Sequence, residues 1–430
     1  MPESNTPKFY IKTFGCQMNM DDSAELSRML RGFGLEESGD IEQADLIHIN
    51  TCSVRKKAED KFFSFLGLQS IRKKKKKGLV IGVGGCTAEL MDVREGHPEI
   101  DYAIGSKHPR DYAEMFGGLI EARFPGAAAA GAHAVSAGPV TAFQTVIRGC
   151  TNCCSYCVVP RARGPEASVP PERARLEAES RLADGAREII LLGQDVLAYG
   201  EDLRPRLHLL DVMRAVHDLD GLARLRFVTS HPRRIDEVFL RGLAEFPKVC
   251  EHFHIPFQSG DDEILRRMNR GYTRAEYIRK VELIREYFPG AGITADVIVG
   301  FPGETEEMFM NTRRLVEELR PDQLYAFKYS TRQGTRAADW ADDVPRAVKE
   351  ERLARLLALE DSISRSLNES LIGKTQEVMA AEAVSEGRYR GRTRSHRIAD
   401  FTSGRPIELG GVVTVKITGA TPHALQGERI

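Results

Sequence analysis

Short apolar segments alternate with helix-like ones along two stretches of this chain, and three of the first apolar segments run straight into a cysteine. In the first hundred residues the strand candidates are Phe9–Phe14, Leu46–Asn50, Leu79–Val83 and Tyr102–Ile104. Helical stretches at Asp22–Gly32 and Arg55–Arg72 lie between them. That rhythm predicts a parallel sheet with crossover helices. A Gly/Ala-rich passage, Gly126 to Gly138, breaks it and reads as a linker, with a domain boundary near Ser136. The alternation then resumes with six strand candidates: Phe143–Ile147, Glu188–Leu192, Arg224–Thr229, His252–Phe257, Gly292–Val299 and Gln323–Tyr329. Helical segments Glu172–Asp184, Arg234–Glu245, Glu263–Met268, Arg274–Tyr287 and Thr305–Glu318 separate them. Six such units suit a full or partial parallel barrel, whose active site gathers at the carboxyl ends of the strands. A charged helical stretch, Ala347–Leu367, leads to a Gly-punctuated tail with strand candidates at Glu377–Ala381, Tyr389–Arg392 and Val412–Ile417. The tail reads as a small all-β barrel of OB-like kind. The expected fold class is therefore α/β. A Rossmann-like parallel-sheet domain is expected over 7–135, a partial (β/α)6 barrel over 140–368 and the small barrel over 370–430.

Hydrophobic residues make up 42% of the chain, ample for globular cores, and no run of about eighteen apolar residues occurs. The start, MPESNTPKFYIKTFG, lacks the basic-then-apolar pattern of a signal peptide. A soluble cytoplasmic protein without a membrane partner is expected. The net charge of −1 does not advertise nucleic acid, yet basic residues cluster locally. Arg72–Lys77 form one run, which reads as a solvated face. In the tail, nine basic residues meet six acidic ones, and Arg388, Arg390, Arg392, Arg394 and Arg397 concentrate the excess on one hairpin. Such a patch can track a sugar–phosphate backbone; a solvated hairpin is the plainer alternative. Arg161 and Arg163 are further candidates for phosphate contact.

A disulfide framework is improbable in a long intracellular chain, so grouped cysteines point to metal or catalysis. The densest group is Cys150-Thr-Asn-Cys153-Cys154-Ser-Tyr156-Cys157. As C-x3-C-x2-C, it sets Cys150, Cys154 and Cys157 in one short loop after a strand. Three thiolates on a four-iron cluster leave one iron open, able to chelate S-adenosylmethionine (SAM) for reductive cleavage to a radical. The alternative is a zinc site of two C-x2-C pairs, but structural zinc usually separates its pairs by a dozen residues or more. Cys153 is then a spare thiol. Cys16, Cys52 and Cys86 follow the strands in KFYIKTFGC, ADLIHINTC and LVIGVGGC. In a parallel sheet those ends share one edge, where ligands bind, so three thiolates can converge on a second cluster. Cys250 stands alone and reads as a small core hydrophobe. Tyr156, beside the last cysteine, is a candidate to flank the SAM adenine. Gln194, Ser230, Gln258 and Val299, at or past strand ends, and Asp296, an acid in an apolar strand, are candidates to line the barrel mouth. His254 is either a site residue or a hydrogen-bonded interior histidine.

At these residues the sequence resembles the methylthiotransferases, most closely the MiaB type. The resembling stretches are TFGCQMNMDDSAE, INTCSVRKKAEDK, GCTAEL, RGCTNCCSYCVVPRARGPEAS, LLGQDVLAYG, LRFVTSHPRR, HIPFQSGDDEILRRMNRGYTRAEY, DVIVGFPGETEEMF and YSTRQGT. The tail, with GRTRSHRIADF, is similar to the RNA-binding TRAM domain. Asp195 stands where such proteins usually have Asn, and Val169 where arginine is common. The resemblance implies a radical SAM enzyme with two [4Fe–4S] clusters, an auxiliary one on Cys16, Cys52 and Cys86. One SAM would methylate a sulfur held there, and a second would supply the radical that abstracts hydrogen from C2 of an adenine. The implied substrate is N6-isopentenyladenosine at position 37, in the anticodon arm of tRNA. An electron donor such as flavodoxin or ferredoxin and a monomeric state are also implied. Gln17-Met18-Asn19 favours this type over the MtaB type, acting on threonylcarbamoyladenosine, and over the RimO type, acting on a ribosomal-protein aspartate. A non-catalytic RNA-binding iron–sulfur protein is the reading from another class.

Overall fold

The computed structural model describes residues 6–53, 56–127 and 138–430. Most of the expected linker, and with it the boundary near Ser136, lies outside the described residues. By its contacts the chain divides into two compact units: residues 1–136 with 149–151 and 158–165, and residues 137–148 with 152–157 and 166–430.

The first unit is built on β1 (Lys8–Thr13), α1 (Gln17–Gly32), β2 (Glu36–Glu37), β3 (Leu46–Thr51), α2 (Lys56–Lys75), β4 (Val80–Gly85), α3 (Cys86–Leu90), β5 (Tyr102–Ile104) and α4 (Ala113–Arg123). Its five strands are all parallel, in the order β2-β1-β3-β4-β5. Successive residues of β3 and β4 serve opposite faces. Leu46 and Val80 pack with Leu26, Leu30, Phe116 and Ile120 on one side. Ile47, Ile49, Ile81 and Val83 pack with Phe62 and Leu66 on the other. Burial on both faces is why these strands read as continuous apolar runs rather than alternating ones. Helix α4 escapes a periodicity reading because Gly117 and Gly118 interrupt it.

In the second unit, β6 (Thr141–Thr145), the short pair β7 (Ile147–Arg148) and β8 (Ala167–Ser168), and β9 (Glu188–Leu192) open the series; α5 (Val159–Arg163), between β7 and β8, falls in the first unit. Then come α6 (Pro171–Ala183), before β9, α7 (Leu209–His217), β10 (Arg224–Phe227), α8 (Glu237–Leu243) and β11 (His252–His254). The series ends with α9 (Asp262–Arg267), α10 (Arg274–Tyr287), β12 (Gly292–Val299), α11 (Glu306–Leu319) and β13 (Gln323–Lys328). Parallel sheets β6-β9-β10 and β11-β12-β13 meet through a parallel bridge between Leu225 and Val249. The six strands therefore follow one another in chain order, as the partial barrel requires. Expected and observed limits agree at Glu188–Leu192, Gly292–Val299 and Arg274–Tyr287, where a capping box on Thr273 and Glu276 starts the helix.

Helix α12 (Arg346–Glu369) leads into β14 (Thr375–Ser385), β15 (Arg388–Thr393), β16 (Ile398–Thr402), β17 (Val412–Ala420) and β18 (Leu425–Arg429). They close a barrel in the order β14-β15-β16-β18-β17 around Val378, Tyr389, Phe401, Val415 and Ile417. The turn between β15 and β16 seats on the amino-terminal ends of the parallel strands. There Arg226, fully buried, donates to Glu188 Oε1 (2.6 Å), Arg394 O (2.6 Å) and Thr393 O (2.8 Å). Arg224 donates to Arg392 O at 2.6 Å, and the rings of His252 and His396 stack with centroids 4.6 Å apart. Gly292 opens β12 because a Cβ there would stand 2.4 Å from Ser395 O.

Candidate active site

In a doubly wound sheet of this order, ligands bind where the winding reverses, at the β1/β3 edge outside the carboxyl ends. Cys16 lies just past β1 and caps α1, Cys52 follows β3, and Cys86 follows β4. Gly85, at φ +93°, turns the chain into Cys86; a side chain there would lie 2.3 Å from Thr51 O. Amide side chains lace α1 to β3. Asn19 Nδ2 donates to Asn50 Oδ1 (2.7 Å), Asn50 Nδ2 to Ser23 Oγ (3.1 Å), and Cys16 Sγ to Asn19 Oδ1 (3.1 Å). The Cys16 thiol is pulled down to about 5: Cys52 donates to it, burial opposes, and the Arg163 charge and the backbone N–H groups of Asn19 and Met18 assist. The lowering favours the thiolate, the form that binds metal. Burial pushes the Cys86 thiol up, and Arg163 offsets part of that rise.

Arg163 is a correction to the sequence reading, which expected it to meet RNA. Its side chain is 2% exposed and enclosed in the first unit, 3.6 Å from Asp22 Oδ2 and against Cys86 and Cys16. Both terminal nitrogens are buried without a well-formed hydrogen bond. A cation sealed beside cysteines needs anions, so it marks a place for negative charge. Arg161, two residues earlier, is exposed. Among the described residues no three His, Cys, Asp or Glu side chains are gathered tightly enough for a single metal ion.

In the second unit, the loop carrying Cys154 and Cys157 is tied down along its length. Asn152 Nδ2 donates to Asp195 Oδ2 (3.2 Å), which also accepts from Arg234 Nε at 2.9 Å. Ser155 bonds Met268 O and Arg267 O, and Asn269 Nδ2 donates to Cys153 O at 2.8 Å. Arg270, buried and fixed by Pro256 O and Tyr272, points Nη1 at Cys154 Sγ, 3.2 Å away. Neither Asn152 nor Arg270 is legible as a site residue from sequence, because nothing in the spacing of RRMNRGY ties it to a cysteine.

Tyr156 packs edge-on to Phe301, centroids 6.5 Å apart, among Met268, Tyr329 and Ile298. Gln194 follows β9 and is half-buried. Ser230, buried past β10, gives its N–H to His254 O and leaves its Oγ without a partner. Gln258, held at φ +67°, donates its N–H to Asp296 O. His254 bonds Thr294 Oγ1 (3.0 Å) and lies 3.6 Å from Asp296 Oδ2. Val299 is a second correction. It packs with Ile293, Ala295 and Val297 in the core under the helices. Alternation puts Thr294, Asp296 and Ile298 on the other face, so Ile298, which shares a cluster with Tyr156, takes the place expected of Val299.

Family models match both parts of the chain: the radical SAM superfamily over residues 145–316, and Uncharacterized protein family UPF0004 over residues 8–105. The tRNA-2-methylthio-N(6)-dimethylallyladenosine synthase of Syntrophomonas wolfei subsp. wolfei is 39% identical, covering 99% of this chain and 98% of its own. The protein of that name from Pelotomaculum thermopropionicum is 40% identical, over 98% and 97% of the two chains. The chain belongs to this family. Among solved structures it is similar in fold to the radical S-adenosylmethionine methyltransferase TsrM of Kitasatospora setae. There the TM-score is 0.57 and the identity 16%, with 77% of each chain covered.

For a member of this family the tail arginines divide into two sets. Arg394 is held by Glu251 (2.7 Å) and by the carbonyls of Val249 and Pro247; Arg397 is held by Asp322 and Asn368. Arg392 donates to His396 O, within the tail itself, and is half-buried. Arg394 and Arg397 seat the small barrel on the rest of the second unit, which corrects the expectation that they meet RNA. Arg388 is exposed, and Arg390, paired with Asp400 at 2.7 Å, is exposed beside it. Among the described residues no helix is long and apolar enough to cross a membrane.

Proposed function

We infer that this chain is a radical SAM methylthiotransferase that converts N6-isopentenyladenosine at position 37 of tRNA to its 2-methylthio derivative. The observation that carries the reading is full-length identity of 39–40% to enzymes named for that product. The cysteine arrangement supports it. Cys150, Cys154 and Cys157 hold one [4Fe–4S] cluster, and Cys16, Cys52 and Cys86 hold the other. When bound, the first cluster with SAM supplies an adenosyl radical able to attack an unactivated aromatic C–H, and the second holds the sulfur to be transferred.

The protein's own part is placement and charge. Arg270 fixes Cys154 from a buried position. Asp195, through Asn152, anchors the same loop to the end of β9. Tyr156 and Ile298 offer an apolar wall for the adenine, and Gln194, Ser230, Gln258 and Asp296 line the polar side. In the first unit, the surroundings of Cys16 lower its thiol toward the thiolate that iron requires. Arg161, Arg388 and Arg390 are the exposed cations proposed to meet the tRNA backbone. Flavodoxin or ferredoxin is the proposed electron source.

The test is anaerobic turnover of the reconstituted protein with SAM, a reductant and tRNA bearing N6-isopentenyladenosine, followed by nucleoside mass spectrometry. The 2-methylthio product should accumulate. Transfer to threonylcarbamoyladenosine instead would move the chain to the MtaB type.

A further inference from the structure

The first unit contains a charge that a plain three-cysteine cluster site does not require. Arg163 has a 2%-exposed side chain, and its Nη1 and Nη2 are buried without well-formed hydrogen bonds. Among the described residues Asp22 is the one carboxylate that pairs with it, at 3.6 Å, too long for a hydrogen bond. The thiols of Cys86 and Cys16 also lie against it. A buried guanidinium is costly unless anions surround it. Three thiolates on a four-iron cluster with a 2+ core sum to one negative charge. An added hydrosulfide or sulfide on the open iron increases it, and a nearby fixed cation favours that addition most where water is excluded. The segment Val159–Arg163 is held for the purpose: Ala162 O accepts from Ser106 Oγ, and Gly164 N–H donates to Pro160 O.

We propose that Arg163 is a positioning residue that retains an anionic sulfur ligand at the Cys16/Cys52/Cys86 site by holding a buried positive charge against it. The inference rests on the cluster reading of those cysteines. Arginine suits the role because its charge is permanent and its planar fork presents several donors at once.

The experiment uses the full chain with Cys150, Cys154 and Cys157 changed to Ala, so that iron loads at the first unit alone. In this background Arg163→Met and Arg163→Lys are compared with the parent for iron content, midpoint potential by electron paramagnetic resonance, and hydrosulfide affinity. The parent should hold about four irons. Arg163→Met should keep them, bind hydrosulfide at least tenfold more weakly and show a lower midpoint potential. Arg163→Lys should recover most of both. Arg163→Met with parental potential and affinity overturns the proposal while leaving the cluster reading intact. Should Arg163→Met lose iron, retention by Arg163→Lys still supports the charge requirement, whereas loss from both makes the residue merely structural and overturns it. A parent that binds no iron removes the cluster reading and the proposal together.

Discussion

Changing Arg226 to Met tests how the small barrel is fastened to the parallel strands. Arg226 and Glu188 are each essentially inaccessible to solvent and 2.6 Å apart. Removing one partner of such a pair costs about 3–5 kcal/mol, because the other stays buried and charged. Glu188 would keep only the Thr141 hydroxyl, at 2.9 Å. The Arg394 carbonyl would also lose its donor, at about 1 kcal/mol, while that of Thr393 would lose one of two and keep the His396 N–H. Neighbouring losses do not add fully, so about 5 kcal/mol is expected in all. At roughly 2–4 °C per kcal/mol for a large domain, the second unit should melt about 10–20 °C lower. Calorimetry reads the shift directly. Replacing Glu188 by Met as well removes the stranded charge and should recover about half of the loss. The reasoning is refuted if the single variant melts within a few degrees of the parent, or if the double variant is no better than the single.

Three other outcomes follow from named residues. Arg388→Ala with Arg390→Ala should weaken tRNA binding and lower the log–log salt slope by roughly one unit per lost phosphate contact; an unchanged slope in a salt titration removes them from the interface. Iron analysis should find about eight irons per chain, and about half after Cys150, Cys154 and Cys157 are changed to Ala; zinc in place of iron contradicts both cluster assignments. Burial, with Arg226 nearby, holds His252 and His396 neutral far below their usual range. The unfolded chain protonates both near pH 6.5 and the folded one does not, so stability present above that pH is lost below it, by about 3 kcal/mol at pH 5.5 for the pair. Replacing both by Gln should flatten that part of a urea-melt pH profile, and an unaltered slope would count against it.

Much of this architecture is legible in the chain because parallel strands buried on both faces write themselves as apolar runs. The strand-end cysteines are readable for the same reason, since all carboxyl ends of a parallel sheet lie along one edge. What misled was partnership over distance. Arg394 and Arg397 read as a basic hairpin, and nothing near them in sequence reveals Glu251 or Asp322. Arg163 read as a surface cation because the cysteines it faces are 77 to 147 positions away. Val299 failed on parity alone: one step along β12 exchanges the site face for the helix face. Helix α7 carries Leu209, Val212, Met213 and Val216 at helical spacing, but the polar, proline-containing RPRLH before it masks where that pattern begins.

The central claim is methylthiolation of one tRNA nucleoside, and nucleoside mass spectrometry of tRNA from cells lacking this gene tests it most directly. The 2-methylthio derivative should vanish and N6-isopentenyladenosine accumulate in its place. The wild-type gene should restore the product, and genes carrying Cys16→Ala or Cys150→Ala should not. Unchanged levels of the 2-methylthio nucleoside in the deletion strain, or restoration by either cysteine variant, would contradict the account.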